Sequence, residues 1–133
     1  MIDDCVSRFL FEDLDIRGAF VRLGPVWQQM VERRDYPLPV LRLLGEMSAT
    51  TVLLGDELKQ PGRLTIQLRG NGPISLLVID CNEHLQLRGM ARCAGQPPGD
   101  PVPELLGDGQ LLLSLDVAAQ REPYQSIVPL DGK

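Results

Sequence analysis

Gly62-Arg63-Leu64-Thr65-Ile66-Gln67-Leu68-Arg69-Gly70-Asn71-Gly72-Pro73-Ile74-Ser75-Leu76-Leu77-Val78-Ile79 reads as one β-hairpin. Leu64, Ile66 and Leu68 alternate with Arg63, Thr65, Gln67 and Arg69, the period of two that marks a strand with one buried and one wet face. Gly70-Asn71-Gly72-Pro73 supplies residues that tolerate positive φ and then a proline of fixed φ, the composition of a tight turn. The second arm is almost continuously apolar, so the hairpin needs another layer of structure to cover it.

That layer is predicted immediately upstream. Pro39 opens a long helix over about 38–59, with Val40, Leu41, Leu44, Met47, Thr51, Leu54 and Leu58 at helical spacing and Leu43, Val52 and Leu53 on another side. Its middle turns, 47–55, carry no charge, which places the helix between two sheets. Any apolar surface left over on this helix is a place for hydrophobic partners. Before it, Gly24-Pro25 starts a shorter helix with Val26, Trp27, Met30 and Val31 on one stripe, and Asp35-Tyr36-Pro37-Leu38-Pro39 separates the two.

A second hairpin is predicted over 8–23: Arg8 to Glu12, a turn at Asp13-Leu14-Asp15, and a return strand from Ile16 to Leu23. Ile16, Phe20 and Arg22 share one face of the return strand, and Gly18 within it suggests a bulge or a close backbone approach. Downstream, 80–83 reads as a turn and His84 to Cys93 as a strand with Leu85, Leu87 and Gly89 on one face. A proline-rich loop over 95–103, a helical turn near 104–109 and a last hairpin, Gln110 to Val117 with Tyr124 to Leu130, complete the chain. The expected fold class is α+β, with mixed or antiparallel sheets and a long central helix between β layers.

With 133 residues the chain fits one domain, and its 44% apolar content suffices for a core. The net charge of −5, with eleven scattered arginines and only Lys59 and Lys133 as lysines, disfavours nucleic acid as a partner. No apolar run reaches the roughly 18 residues of a membrane span, and the acidic start Met1-Ile2-Asp3-Asp4-Cys5 lacks the features of a secretory signal. A cytoplasmic location without a membrane partner is the expectation. The ending Leu130-Asp131-Gly132-Lys133 places a hairpin-turn pair at the terminus, which reads as a fragment whose next element is missing.

Candidate chemistry is sparse. Cys81-Asn82-Glu83-His84 with Cys93, and Cys5 as a possible fourth ligand, holds zinc-ligand residue types but no CxxC knuckle. The same Cys81, His84 and Cys93 would serve the alternative of a small metal- or thiol-dependent enzyme, although no sequence context activates a thiol. Asp3-Asp4, Glu12-Asp13-Leu14-Asp15 and Asp56-Glu57 lie at a terminus, a turn and a helix end, where solvated acids are ordinary. Gly70-Asn71-Gly72 and Gly107-Asp108-Gly109 lack the Lys-Ser/Thr of a phosphate loop and read as turns. No catalytic, cofactor-binding or metal residue is assigned, and a binding module is favoured over an enzyme.

A series of motifs runs in order along the whole length. It begins with Phe9-Leu10-Phe11-Glu12 and Ile16-Arg17-Gly18, then Tyr36-Pro37-x-Pro39-Val40 leading to Leu44-x-Glu46. The most specific block is Leu64-Thr65-x-Gln67-Leu68-x-Gly70-x-Gly72-Pro73. Leu87-Arg88-Gly89-x-Ala91-Arg92, Leu106-Gly107-x-Gly109 and Tyr124-Gln125-x-x-Val128-x-Leu130-x-Gly132 follow. On these motifs the chain resembles the N-terminal domain of the 33 kDa chaperonin family of redox-regulated bacterial heat-shock chaperones.

The resemblance implies an ATP-independent holdase that binds unfolding client proteins under oxidative and heat stress and forms a homodimer in the cytoplasm. It implies that 1–133 is the client-binding and dimerisation domain, truncated at its C-terminal side. The zinc module of the family, with its CxC and CxxC cysteines, is absent from this sequence, so zinc is implied only for the missing part. Cys5, Cys81 and Cys93 do not match the switch positions.

Overall fold

A computed structural model describes residues 3–58, 60–95, 101–117 and 121–130. Strands β1 (Cys5–Phe11) and β2 (Ile16–Arg22) form a two-stranded sheet, followed by helices α1 (Pro25–Val31) and α2 (Leu38–Asp56). Strands β3 (Gly62–Arg69), β4 (Ile74–Cys81) and β5 (Leu87–Cys93), the short helix α3 (Val102–Leu106), and strands β6 (Gly109–Val117) and β7 (Tyr124–Leu130) complete the order. The second sheet has the order β5-β4-β3-β6-β7, every pair antiparallel. Helix α2 packs against β3, β4 and β5 on one side and β1 and β2 on the other, so the α+β fold has the expected central helix between β layers.

The alternation in β3 sets the register. Leu64, Ile66 and Leu68 are buried and face Cys81, Ile79 and Leu77 across β4. A slip of one residue would turn all three to water, at about 1.5–3 kcal/mol for each side chain exposed. On the opposite face Asp80 accepts from Thr65 Oγ1 at 2.9 Å and from Arg88 at 3.1 Å, a polar ladder over three strands.

Several sequence expectations are corrected. Gly70 and Gly72 do not adopt positive φ. They are glycines because α3 ends against them: a Cβ on Gly70 would collide with the Leu106 carbonyl, and one on Gly72 would lie 2.9 Å from the Gly107 nitrogen. The Asn71 and Gly72 amides both donate to the Leu106 oxygen, at 2.9 and 3.0 Å, and Asn71 Oδ1 accepts from the Asp108 amide at 2.8 Å. The two glycine-rich turns are thus each other's partners. Of the glycines in them, only Gly107 uses its conformational freedom, with φ 64° at the end of α3.

Residues 80 and 81 belong to β4, and β5 begins at Leu87. Between them the Asn82 side chain organises a turn, its Oδ1 accepting from the His84 and Gln86 amides at 2.9 and 3.0 Å. That loop holds Leu85 at φ 59°. Strand β1 starts earlier than expected, at Cys5, and β1 pairs with β2 without a bulge.

Helix α2 ends at Asp56, and its buried residues are Val40, Leu43, Leu44, Ser48, Thr51 and Val52, so Leu43 and Val52 lie in the core while Leu54 is exposed. Burial on two sides accommodates hydroxyls only because each is satisfied locally: Ser48 donates to the Leu44 carbonyl at 2.7 Å and Thr51 to that of Met47 at 2.6 Å. By length and composition α2 is long and apolar enough to cross a membrane. Its packing between two sheets accounts for that character without one. The middle of the proline-rich loop, 96–100, and the terminal 131–133 lie outside the described residues.

Candidate interaction surface

The β1–β2 hairpin carries the largest departure from ordinary burial. A four-residue turn, 12–15, separates β1 from β2 and fixes the pairs Phe11↔Ile16, Phe9↔Gly18 and Ser7↔Phe20. Side chains directly across an antiparallel pair share a face. Phe9, Phe11, Ile16 and Phe20 therefore stand on one face, and the three phenylalanines are all that the chain contains. Their exposures are 48%, 52% and 54% for Phe9, Phe11 and Phe20, where a core aromatic would be almost fully buried.

The opposite face reaches α2 through Arg8, while Leu10 on the same face is itself 55% exposed. Arg8 on that face pairs with Asp56 at the end of α2, Nε to Oδ2 at 2.7 Å, and its guanidinium also donates to the Asp56 carbonyl oxygen. The Asp56 carboxylate raises the Arg8 pKa, first by hydrogen bond and then by charge. At the hairpin base, Asp4 caps α1 from twenty-two residues away in sequence: its carboxylate accepts from the Gly24 amide at 2.6 Å and the Val26 amide at 3.2 Å. These two attachments anchor one face and one end of the hairpin and leave the phenylalanine face to solvent.

That face is shaped as well as exposed. Gly18 lies under the Phe9 ring, where a Cβ would overlap ring carbons. The Phe9 and Phe11 rings meet edge to face with centroids 5.6 Å apart and planes at 80°. At the tip, Leu14 donates its amide to the Phe11 carbonyl at 3.2 Å and Asp15 adopts φ 50°, a conformation aspartate tolerates. Glu12, Asp13 and Asp15 are exposed around that tip.

The sequence placed Ile16 and Phe20 together on the return strand. It missed that Phe9 and Phe11 join them, because it read a three-residue turn at Asp13-Leu14-Asp15; the four-residue connection 12–15 aligns odd positions of β1 with even positions of β2. The apolar stripe of α2 was read as core, with any surplus a place for partners, and on that helix only Leu38 and Leu54 are exposed large apolar side chains.

The cysteine and histidine candidates do not converge. Cys81 pairs with Leu87 at one end of β4–β5 and Cys93 with Ile74 at the other, seven residues or roughly 23 Å along the strand. Cys81 is buried at 1% exposure, and burial, with a smaller contribution from Asp80, pushes its thiol up to about 11. His84 is an exposed turn residue, 3.5 Å from Glu83. Cys5 and His84 share the lining of a cleft of about 570 Å³ between the hairpin base, both helices and the 82–87 turn, with Val26, Val52, Leu85 and Leu87. Among the described residues no group of three or more His, Cys, Asp and Glu side chains could hold a metal ion, so the residues present do not fit a zinc site.

Comparisons with known proteins agree on one family. A family model described as Hsp33 protein matches residues 4–133. A 33 kDa chaperonin of Aliivibrio salmonicida is 41% identical over 134 residues, covering 100% of this chain and 46% of the relative. That of Cronobacter sakazakii is 42% identical over 130 residues, covering 97% of this chain and 44% of the relative. The crystal structure of a 33 kDa chaperonin from Thermotoga maritima superposes with a TM-score of 0.79 at 23% identity, over 95% of this chain and 45% of that one. The last likeness is one of fold. The chain spans about half the length of the relatives it matches.

Proposed function

The chain belongs to the Hsp33 family, and on that premise we propose that it is the client-binding part of an ATP-independent holdase. It captures unfolding proteins by apolar contact and prevents their aggregation under heat and oxidative stress. The observation that carries this reading is the face of Phe9, Phe11, Ile16 and Phe20, turned to solvent on a hairpin anchored from its other side. Apolar surface removed from water yields about 25 cal/mol per Å² without directional chemistry, so one such face suits many unrelated clients. The role is binding and not catalysis.

Redox control, homodimer formation and a cytoplasmic location are part of the same proposal, carried over from the family resemblance. In that reading the zinc switch lies outside residues 1–133, and the three thiols of this chain take no part in it. The test is light scattering from a heat-unfolding client with the chain at micromolar concentration, in reductant and after peroxide. Suppression equal in both states, and unchanged when Cys5, Cys81 and Cys93 are replaced by Ser, is expected. No suppression in either state contradicts the holdase reading. A several-fold gain on oxidation that is lost in the triple Ser variant contradicts the assignment of the switch to another part.

A further inference from the structure

The hairpin face has two properties that a generic sticky patch lacks: a limited size and an acidic tip, with Arg22 at the far end of the same face. Three phenylalanines about half exposed, each with a side chain of roughly 150–250 Å², offer on the order of 300 Å² of apolar surface, with Ile16 adding a little. A stable interface between two copies buries about 800 Å² of total surface on each partner, a little over half of it apolar. The face is too small for that and matches three or four side chains of an extended segment. Its tip is closed by Glu12, Asp13 and Asp15 within four residues, and no ion pair among the described residues uses them.

We propose that the outer face of the β1–β2 hairpin selects extended client segments in which apolar side chains are followed by Lys or Arg, the apolar residues lying over Phe9, Phe11, Ile16 and Phe20 and the cation meeting Glu12, Asp13 and Asp15. This rests on the holdase reading and names its client chemistry. Lys and Arg flank apolar runs in many proteins as gatekeepers against aggregation, so the preference fits segments that heat exposes. A client segment with acidic flanks meets like charge at the tip and is disfavoured. The preference is electrostatic and fades when salt screens exposed charges.

The test uses two labelled unstructured peptides with the same Leu-Phe-Val-Leu core, one flanked by Lys and one by Glu, followed by fluorescence anisotropy. The Lys-flanked peptide is expected to bind about five-fold more tightly at low salt, as two or three exposed ion pairs allow. The gap closes in 0.5 M salt and in the Glu12→Gln, Asp13→Asn, Asp15→Asn variant; Asn at 15 keeps a side chain that accepts φ 50°. Phe9→Ser, Phe11→Ser, Phe20→Ser weakens both peptides at least about ten-fold, the loss expected of central aromatic contacts. Equal binding of the two peptides by the unaltered chain overturns the proposal. So does undiminished binding by the phenylalanine variant when circular dichroism shows it folded. A shift of that variant from dimer to monomer with peptide binding unchanged assigns the face to a second copy and also overturns it. Suppression of client aggregation by the unaltered chain is measured alongside: if it persists while the peptide results fail, only the assigned face and its selectivity fall, and if it is absent the holdase reading falls first.

Discussion

The ring of Phe9 lies over Gly18, its partner across the β1–β2 pair, with Cε1 2.9 Å from where a Cβ would sit. The glycine leaves room for the ring to lie flat, and the flat ring completes an apolar face with Phe11, Ile16 and Phe20. Gly18→Ala displaces the ring outward, because Phe9 is half exposed and free to move. Global stability should change by no more than about 0.5 kcal/mol, as at other surface sites. Suppression of client aggregation should fall, read by light scattering beside a thermal melt. Full holding activity with the ring displaced would separate Phe9 from client capture.

Gly70→Ala acts on the fold instead. The obstructing atom is the Leu106 carbonyl oxygen, a backbone atom that also accepts from Asn71 and Gly72. Neither side can yield without loss of those hydrogen bonds, so a destabilisation of about 2–3 kcal/mol is expected in urea unfolding, at the upper end of ordinary single substitutions. An unchanged midpoint would mean that the α3 end does not rest on the 70–73 turn.

Arg8→Ala releases the hairpin from the end of α2. The pair is exposed, so global unfolding should be little affected. Amide exchange in β1 and β2 should quicken selectively, since local opening draws on few other contacts. In the unaltered chain the same quickening should follow added salt, which screens an exposed pair. Uniform exchange changes across both sheets would contradict a local latch.

Cys81 should be the slowest thiol. At pH 8 a maleimide or disulfide reagent is expected to modify Cys5 and Cys93 well before Cys81, because the thiolate is the nucleophile and burial pushes Cys81 up to about 11. Below its ordinary value near 9 the thiol is neutral both folded and unfolded, and the folded state keeps its full stability. Above pH 9 the unfolded chain loses this proton and the folded chain keeps it, so stability declines as pH rises through about 11. Cys81→Ala should flatten that decline in urea midpoints measured from pH 8 upward.

How much of this was legible in the sequence depends on the range of the signal. Leu64, Ile66 and Leu68 alternate so strictly that the β3–β4 hairpin, its buried face and the helix above it follow from local pattern. The uncharged turns of α2 gave its place between two sheets for the same reason. Gly70 and Gly72 were read for the wrong cause, because turn chemistry is local and the approach of Leu106 comes from thirty-six and thirty-four residues away.

The candidate site was less legible. Periodicity reports that a face is apolar and is silent on whether a layer covers it, so the sequence pattern of Phe9, Phe11 and Phe20 does not show that they are exposed. Their exposure is set by tertiary contacts, of which the Arg8–Asp56 pair on the other face of the hairpin joins residues forty-eight apart in sequence. Cys81, His84 and Cys93 looked close in the sequence, and the strand pairing separates the two cysteines by its full length.

Capture of clients on the hairpin face is tested most directly by photo-crosslinking. A photoreactive phenylalanine analogue is placed at Phe20 in one variant and at Ile127 in another, the latter an apolar position on β7 that is still more exposed at 64%. Each variant is irradiated with a client during heating, and covalent adducts are counted by mass. Adducts from position 20 with only background from position 127 are the predicted result; labelling from 127 that equals or exceeds labelling from 20 contradicts client capture by the β1–β2 hairpin.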